Sequence, residues 1–220
     1  VGVDILLEFL EVAFNHILFF RKIYPKEIFV KKKIYGITVY VSEHPELNEY
    51  LSNVLNAIRE LIKEDENSIR AINLTFYNKN KSPIEKFVFN MVKLQAEFME
   101  YVEITLSDFY ILLILFFSIL RRDPYYLKTE EALKTICLKL SMSDTYLKAI
   151  PDNSTFSIEI QTYETAHITL SENPKCEDFP WIIKDNAVEM INKNLLPLKD
   201  IKTDCLNLQL YVIEDTANKI

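Results

Sequence analysis

Apolar residues recur every three or four positions in three long stretches of the chain. Over residues 5–24 this spacing predicts a helix with a wide buried face that ends at Pro25. A second helix is predicted over 45–62, because Pro45 stands in the first turn, where proline is favoured, and an apolar stripe follows it. A third helix is predicted over 124–150. The polar opposite side of the second helix predicts that it is half exposed.

Strict alternation of apolar and polar residues predicts strands between these helices. Residues 69–77 and 84–91 alternate in this way, and the Asn-Lys-Asn-Lys stretch between them tolerates turn conformations, so the two segments are predicted to form a hairpin. Further strands are predicted over 37–41 and 155–161. Mixed helices and antiparallel strands indicate an α+β fold.

The C-terminal part of the chain combines an irregular stretch with one strand. Residues 162–202 show no sustained periodicity and carry the lone tryptophan, Trp181, directly after a proline. Two interpretations of Trp181 stay open: it fills a gap in the core, or it is an aromatic anchor against which a bound segment is clamped. From 205 to 213 the alternation predicts a strand that buries one face and points Gln209 and Tyr211 outward together.

Charge and composition exclude several classes of function. A net charge of -7 and a pI near 5.1 argue against direct, sequence-independent binding of nucleic acid, which needs Lys and Arg to displace counterions. Two glycines in 220 residues cannot build a phosphate-binding loop or a dinucleotide fingerprint. The three cysteines lack CxxC spacing, which predicts reduced thiols of an intracellular protein and no zinc site.

Candidate catalytic groups are equally scarce. The three histidines are far apart, and His16 has no second His or Cys within helical reach, so we interpret it as a core residue. No triad, carboxylate pair or metal cluster emerges, so the residues give no positive support to an enzyme, and no cofactor is expected. The apolar start of the chain has no signal-peptide pattern, and because it begins at Val1 we expect a further N-terminal piece.

Two segments leave alternatives open. Residues 21–33 hold Arg21 and five lysines among aromatic and aliphatic residues, and they form either a solvated loop, which we favour, or a basic patch for an acidic partner. The apolar run 109–120 is too short to span a bilayer, which needs about 20 residues. It is an extra core helix, a membrane-surface anchor of a membrane-associated protein, or retained noncoding sequence in a gene model, the reading that we favour.

Six runs of sequence, in the same order and with similar spacing, resemble those of HORMA-domain accessory subunits of translesion DNA polymerase zeta, the mitotic-arrest-deficient-like 2 family. The apolar run 109–120 falls in a segment about twenty residues longer than the family pattern. The runs are Glu8-Phe9-Leu10-Glu11-Val12-Ala13, Ile23-Tyr24-Pro25, His44-Pro45-Glu46-Leu47-Asn48, Glu85-Lys86-Phe87-Val88-Phe89, Asp178-Phe179-Pro180-Trp181-Ile182 and Gln209-Leu210-Tyr211-Val212.

This resemblance implies a single HORMA domain over 1–220, in which three helices pack on a mainly antiparallel sheet. The core is expected over about 3–162 and a C-terminal seatbelt over about 163–220, with an unusual apolar insertion over about 95–121. It also implies a non-catalytic adaptor that traps a proline-containing peptide of the polymerase zeta catalytic subunit under the seatbelt. The alternative is a spindle-checkpoint-type HORMA signalling adaptor in cell-cycle control.

The resemblance also implies three sets of binding residues. Lys134 matches a basic position that supports self-association, but Lys lacks the planar fork of Arg, so a homodimer stays an open question. The peptide groove is expected at Tyr24, Tyr50, Trp181 and Ile183. A site for the C-terminal domain of a scaffold translesion polymerase is expected at Leu195, Pro197, Gln209 and Tyr211.

The expected location is the nucleus, with the cytoplasm as a second one. The resemblance further admits other proline-motif proteins in double-strand break repair or cell-cycle control as partners. Neither nucleic acid nor a membrane is expected to bind directly.

Overall fold

The fold is that of a computed structural model. It describes most of the chain, but not the predicted insertion or all of the C-terminal region. The predicted insertion over 95–121 lies outside the described residues, as do His167, Cys176 and Cys205. The described residues are 2–65, 68–91, 124–163, 173, 181–184, 190, 192–203, 206–215 and 217.

Three long helices form near the predicted places, but the third, predicted over 124–150, is interrupted at Met142 (φ -97°, ψ 10°), and its continuation ends at Tyr146. They are α1 (Gly2–Phe20), α2 (Pro45–Glu64) and α3 (Pro124–Ser141), followed by the short α4 (Ser143–Tyr146). A single 3-10 turn, Lys26–Ile28, lies between α1 and the first strand. Helix α1 ends before Pro25, because Lys22 adopts a left-handed conformation with φ of 57° that stops the helix.

An antiparallel ribbon of β1 (Phe29–Ile34) and β2 (Ile37–Ser42) follows α1. Tyr35 and Gly36 connect them with positive φ angles, as in the two-residue turns that match strand twist. The interpretation of 21–33 as a loop is therefore wrong for its second half. Three consecutive lysines conceal the alternation of β1 in the sequence. Its pairing with β2 shows that it is a strand.

Five strands make the main sheet, in the order β5-β3-β4-β7-β6, with every neighbouring pair antiparallel. The hairpin of β3 and β4 and the strands β5 and β7 confirm the sequence predictions. The strands are β3 (Ile69–Tyr77), β4 (Pro83–Met91), β5 (Thr155–Thr162), β6 (Lys193–Lys202) and β7 (Asn207–Asp215).

Strand β6 contradicts the interpretation of 162–202 as irregular throughout. Its register against β7 shifts between Pro197 and Lys199. A bulge of this kind inserts one residue into the strand and thereby reverses the alternation of faces after it. No continuous period of two residues is therefore visible in the sequence of β6, although the strand pairs with β7 along its whole length.

The hydrophobic core lies between the helices and one face of the main sheet. Helix α1 is central to it, because it contacts α2, α3 and β2 and buries most of its length. Phe9 and Phe14 of α1 meet Phe89 of β4 edge to face, with ring centroids 6.2 and 5.6 Å apart. Ile72 and Leu74 of β3 face the same core and are fully buried.

A buried ion pair joins the end of α1 to the sheet. The guanidinium of Arg21 donates to both carboxylate oxygens of Glu85 on β4, over 2.7 and 2.9 Å, and both side chains are at most 1% exposed. The same guanidinium donates to Asp144 of α4 over 3.1 Å and to the carbonyl oxygen of Lys148. Arg21 therefore belongs to the core and not to a basic surface patch.

His16 is also a structural residue. Its Nε2 lies 2.8 Å from Ser141 Oγ on α3, and its Nδ1 accepts the backbone N–H of Tyr40 over 3.4 Å. Burial lowers the pKa of His16 from 6.5 to about 4, against an opposing backbone hydrogen bond at Cys137. The imidazole is thus neutral near pH 7 and ties α1 to α3 and β2.

Loss of Arg21 should destabilise the fold strongly. We expect Arg21→Met to lower the free energy of unfolding by about 3–5 kcal/mol, because the buried Glu85 carboxylate loses its bidentate cation. Arg59→Met is the matched control: it removes an exposed pair with Asp4 and should cost less than about 1 kcal/mol. Urea unfolding measures both, and equal losses in the two variants would contradict a stabilising role for the buried pair.

The pKa of His16 predicts a pH dependence of stability. Its native pKa of about 4 lies below the value of 6.5 in the unfolded chain, so the unfolded state binds more protons between these values and stability falls as the pH drops through this window. Between pH 7 and pH 4.5 this contribution is about 2–3 kcal/mol. When the pH falls from 7 to 4.5, the free energy of unfolding of His16→Gln, measured in urea, should fall by that much less than the free energy of the wild type. An identical fall in both proteins would refute the lowered pKa of His16.

Candidate functional site

The outer edge of β5 faces away from the main sheet. The backbone N–H of Ile158 donates to the phenol oxygen of Tyr50 on α2 over 3.0 Å, and not to β3. In an antiparallel strand alternate residues present their main-chain groups to the same edge, so Phe156 and Ile160 share this direction. Among the strands that the structure describes, none pairs with this edge, which leaves it available for an added strand.

Aromatic side chains gather at the start of this edge. The rings of Tyr24 and Tyr50 meet Phe156 of β5 edge to face, with centroids 6.1 and 5.7 Å apart. Burial raises the pKa of both tyrosines, and the charge of Glu46 adds to the effect at Tyr24. The phenols therefore stay neutral near pH 7. Phe156 was expected only as a strand residue, since nothing in its sequence position indicates that two distant tyrosines flank it.

Trp181 packs on the same hydrophobic cluster as these three rings. It is half-buried and packs against the outside of the core. Its role as a peptide anchor stays a prediction. Its neighbours Ile182 and Ile183 are 88% and 67% exposed. The structure thus brings Tyr24 and Tyr50 together around Phe156, whereas the side chain of Ile183 reaches into solvent.

Lys184 attaches this segment to the sheet. Its ammonium lies 2.8 Å from Glu159 Oε1 on β5 and 2.9 Å from the Tyr77 hydroxyl on β3. The ammonium of Lys86 on β4 donates to the other Glu159 oxygen over 3.3 Å, and the Tyr77 hydroxyl also donates to Glu159. Sequence analysis missed this cluster, because its members come from four separate segments of the chain.

The ionisation of this cluster follows from its contacts. Burial by itself would raise the pKa of Glu159, but hydrogen bonds from Lys184 and Tyr77, with the charges of Lys86 and Lys184, lower it below its ordinary value. Burial opposes the charge of Lys184, yet its contacts with Glu159 and Tyr77 raise its pKa. Both groups are consequently charged near pH 7.

The order of the strands places the two ends of the connection between β5 and β6 far apart. Strand β5 is at one edge of the main sheet and β6 is at the opposite edge. The chain between them must therefore reach from edge to edge. Lys184 lies in this connection and contacts Tyr77 and Glu159. These two residues are on the face that points away from the helices, because the alternate residues Leu74 and Phe76 of β3 are buried in the helical core.

The hairpin of β6 and β7 carries the second predicted site. Leu195 is 57% exposed and pairs with Ile213, while Pro197 pairs with Tyr211. Directly paired residues share a face, so all four predicted residues lie together on the face away from the helices. Asn90 Nδ2 on β4 donates to Gln209 Oε1 over 3.1 Å.

The opposite face of β7 confirms its predicted alternation. Four aliphatic residues at or just before this strand are at most 1% exposed and face the helical core. They are Leu206, Leu208, Leu210 and Val212.

Comparison with known proteins decides the family. Residues 3–178 match the HORMA domain. The chain belongs to the HORMA domain family. It is 36% identical over 217 residues to the Homo sapiens protein named "Mitotic spindle assembly checkpoint protein MAD2B", covering 98% of this chain and 92% of that protein. It is 28% identical to the Drosophila melanogaster "DNA polymerase zeta subunit 2", covering 96% of this chain and 95% of the relative.

Solved structures agree with this HORMA fold. A chain of the "Crystal Structure of Mitotic Checkpoint Complex" superposes with a TM-score of 0.72 at 19% identity, covering 96% of this chain and 97% of that one. The "Structure of HTP-2 bound to HTP-3 motif-6" gives a TM-score of 0.62 at 12% identity, with 97% and 88% covered. The predicted fold class, three helices on a mainly antiparallel sheet in a HORMA domain, is confirmed.

Lys134 lies on the exposed side of α3 in this HORMA domain. The exposed Leu138 follows it by four residues on the same side of the helix, and the exposed Met142 comes directly after the end of α3. An exposed apolar strip beside a cation is compatible with contact between two copies. Self-association through Lys134 stays a prediction.

Three further observations concern metal ligands, membrane-spanning helices and the free thiol in the described part of the chain. No group of three His, Cys, Asp or Glu side chains within the described ranges could hold a metal ion. No helix in that part of the chain is long and apolar enough to cross a membrane. Burial raises the pKa of the free thiol of Cys137 to about 12, so this thiol stays protonated.

Proposed function

We propose that this HORMA protein is a non-catalytic adaptor of translesion DNA synthesis. It traps a proline-containing peptide of the DNA polymerase zeta catalytic subunit at the outer edge of β5 and bridges it to a scaffold translesion polymerase. The observation that carries the proposal is the outward N–H of Ile158, which is bound by the Tyr50 phenol and not by a neighbouring strand. This edge offers main-chain donors and acceptors to an extended ligand.

The chemistry of the edge suits a proline-containing ligand. In an added strand, a peptide carbonyl oxygen would replace the Tyr50 phenol as the acceptor of the Ile158 N–H. No main-chain group would then be left without a hydrogen bond. The rings of Tyr24 and Phe156 next to this point provide flat apolar surfaces for a proline ring. A proline-rich segment is already extended in solution, so less conformational entropy is lost on binding.

The position of the C-terminal connection supports trapping. Because the connection joins opposite edges of the sheet, a peptide added to β5 would lie beside it and could be enclosed by it. Trp181 and Lys184 are the described contacts of this segment with the domain near β5. Relatives support the assignment by their names: HTP-2 is described as bound to a motif of HTP-3, and two relatives are named polymerase zeta subunits.

The second surface would bind the scaffold polymerase. Strand β7 is three positions from β5 in the sheet, which corresponds to about 14 Å at the usual strand spacing. A ligand on Leu195, Pro197, Gln209 and Tyr211 and a ligand at the edge of β5 would therefore contact different residues. Simultaneous binding of both is what a bridging adaptor requires.

The nucleus, and also the cytoplasm, is the proposed location.

A spindle-checkpoint-type signalling adaptor is the second candidate. It is favoured by the relatives named "Mitotic spindle assembly checkpoint protein MAD2B". Both candidates use the same peptide edge, so they differ in the partner and not in the mechanism. Other proline-motif proteins of double-strand break repair or cell-cycle control are further candidate ligands of this edge. Pull-downs with each class of peptide separate these candidates.

Trp181→Ala tests peptide capture. We expect it to weaken binding of the proline-containing peptide of the polymerase zeta catalytic subunit by about 2–4 kcal/mol, the range of a central aromatic hot spot. Ile182→Ala is the matched control, because the adjacent side chain is 88% exposed and should contribute little. Calorimetry measures both, and circular dichroism checks the fold. Binding of the Trp181 variant within threefold of the wild type would refute the proposed anchor.

Tyr211→Ala, alone or with Leu195→Ala, tests the second surface. Binding of the C-terminal domain of the scaffold polymerase should be lost, while peptide capture at β5 is retained, because the two ligands contact different strands. Asn194→Ala, an exposed change on the same hairpin, should affect neither. Paired pull-downs of both partners provide the measurement. Simultaneous loss of both ligands would contradict two independent surfaces.

A further inference from the structure

The segment from Trp181 to Lys184 is held to the domain by its two end residues. Ile182 and Ile183 are mostly exposed, so their side chains bury little apolar area against the sheet. Trp181 contributes packing, and Lys184 contributes hydrogen bonds to Glu159 and Tyr77. The polar contact of Lys184 is therefore a large part of what fixes the position of this segment.

The sheet face beneath Lys184 is polar. Asn73 pairs directly with Glu159 in the register of β3 and β5, and Thr75 follows on the same face. Both are fully buried, and neither side chain has a hydrogen-bond partner among the residues that the structure describes. Val88 of β4, which pairs with Asn73, adds a buried apolar side chain to this mainly polar face. Covering Asn73 and Thr75 costs free energy while they lack partners, so directional polar contacts matter more for attachment of a segment here.

The cluster around Glu159 is arranged so that Lys184 can leave and return. Glu159 is only 19% exposed on its side chain and accepts from Lys86 as well as from Lys184. When Lys184 moves away, Lys86 and Tyr77 still bind the carboxylate, so no buried charge is left alone. The remaining contacts keep Glu159 oriented for the return of the ammonium.

We propose that Glu159 and Lys184 are positioning residues that hold Trp181 over the peptide site, so that their ion pair sets how fast a captured peptide is released. This inference rests on the proposed function and deepens it. Charge-assisted hydrogen bonds are the stronger class. The Lys184 side chain is 44% exposed, so salt can still screen this ion pair. Release requires the segment to lift, which breaks the contacts of Lys184.

Lys184→Met tests this role, because it keeps the length of the side chain and removes the charge. A labelled proline-containing peptide of the polymerase zeta catalytic subunit should dissociate about tenfold faster from this variant, as expected for loss of a charged, partly buried hydrogen bond. Raising the salt concentration should speed release from the wild type and have a smaller effect on the variant. Stopped-flow fluorescence measures both rates.

Two further variants separate the ion pair from general structure. Lys184→Arg keeps the cation and should retain slow release. Lys63→Met removes an ion pair with Glu60 on α2, far along the chain from this cluster, and should leave the release rate unchanged. Fast release from Lys184→Arg, or equal release from Lys184→Met and the wild type, would overturn the inference.

A readout without peptide keeps this inference distinct from the proposed function. Trp181 is the single tryptophan, so quenching of its fluorescence by acrylamide reports the exposure of this segment in the free protein. Quenching should increase in Lys184→Met and stay at the wild-type level in Lys184→Arg. If the wild type captures no peptide, the proposed function fails, and with it the release role. Quenching then still decides whether the ion pair positions Trp181. Equal quenching in the wild type and in all variants would overturn this positioning role too.

Discussion

The ion pair of Arg21 and Glu85 is the contact on which the arrangement of this domain depends. Burying a guanidinium and a carboxylate is costly unless every donor and acceptor is satisfied, and here the fork of Arg21 binds both oxygens of Glu85. Arg21 also binds the carbonyl oxygen of Lys148. The N–H of Lys148 in turn donates to Glu214 of β7, which pairs with Glu85. One charged cluster thus fixes the end of α1, the approach to β5 and the C-terminal hairpin.

The main sheet has two unlike faces, and this cluster lies on the one that faces the helices. Towards the helices the sheet presents fully buried apolar residues such as Leu74 and Phe87, whose packing is non-directional and strong. On the other face Glu159, Tyr77 and Gln209 form directional polar contacts. The apolar core and these polar contacts are therefore on opposite sides of the same strands. Under the proposed function, this division lets the binding segment move without loosening the core.

Most helices and strands follow from the sequence, and the exceptions have physical causes. Periods of 3.6 and 2 residues are visible wherever one face is apolar, as in α2 and β7. They fail in β1, where consecutive lysines conceal the alternation, and in β6, where the register shift at Pro197 reverses it. The family was recognisable because short runs of side chains kept their order and spacing.

The sequence by itself determined the fold class, the family and the buried face of each regular strand, since these depend on local periodicity and on ordered motifs. Tertiary structure decided which edge stays unpaired among the described strands, that Phe156 contacts both Tyr24 and Tyr50, and that Lys184 contacts Glu159. It also decided that Arg21 is a core residue and not a surface charge. The physical reason is that pairing between distant segments depends on the order of the strands, which local patterns do not encode.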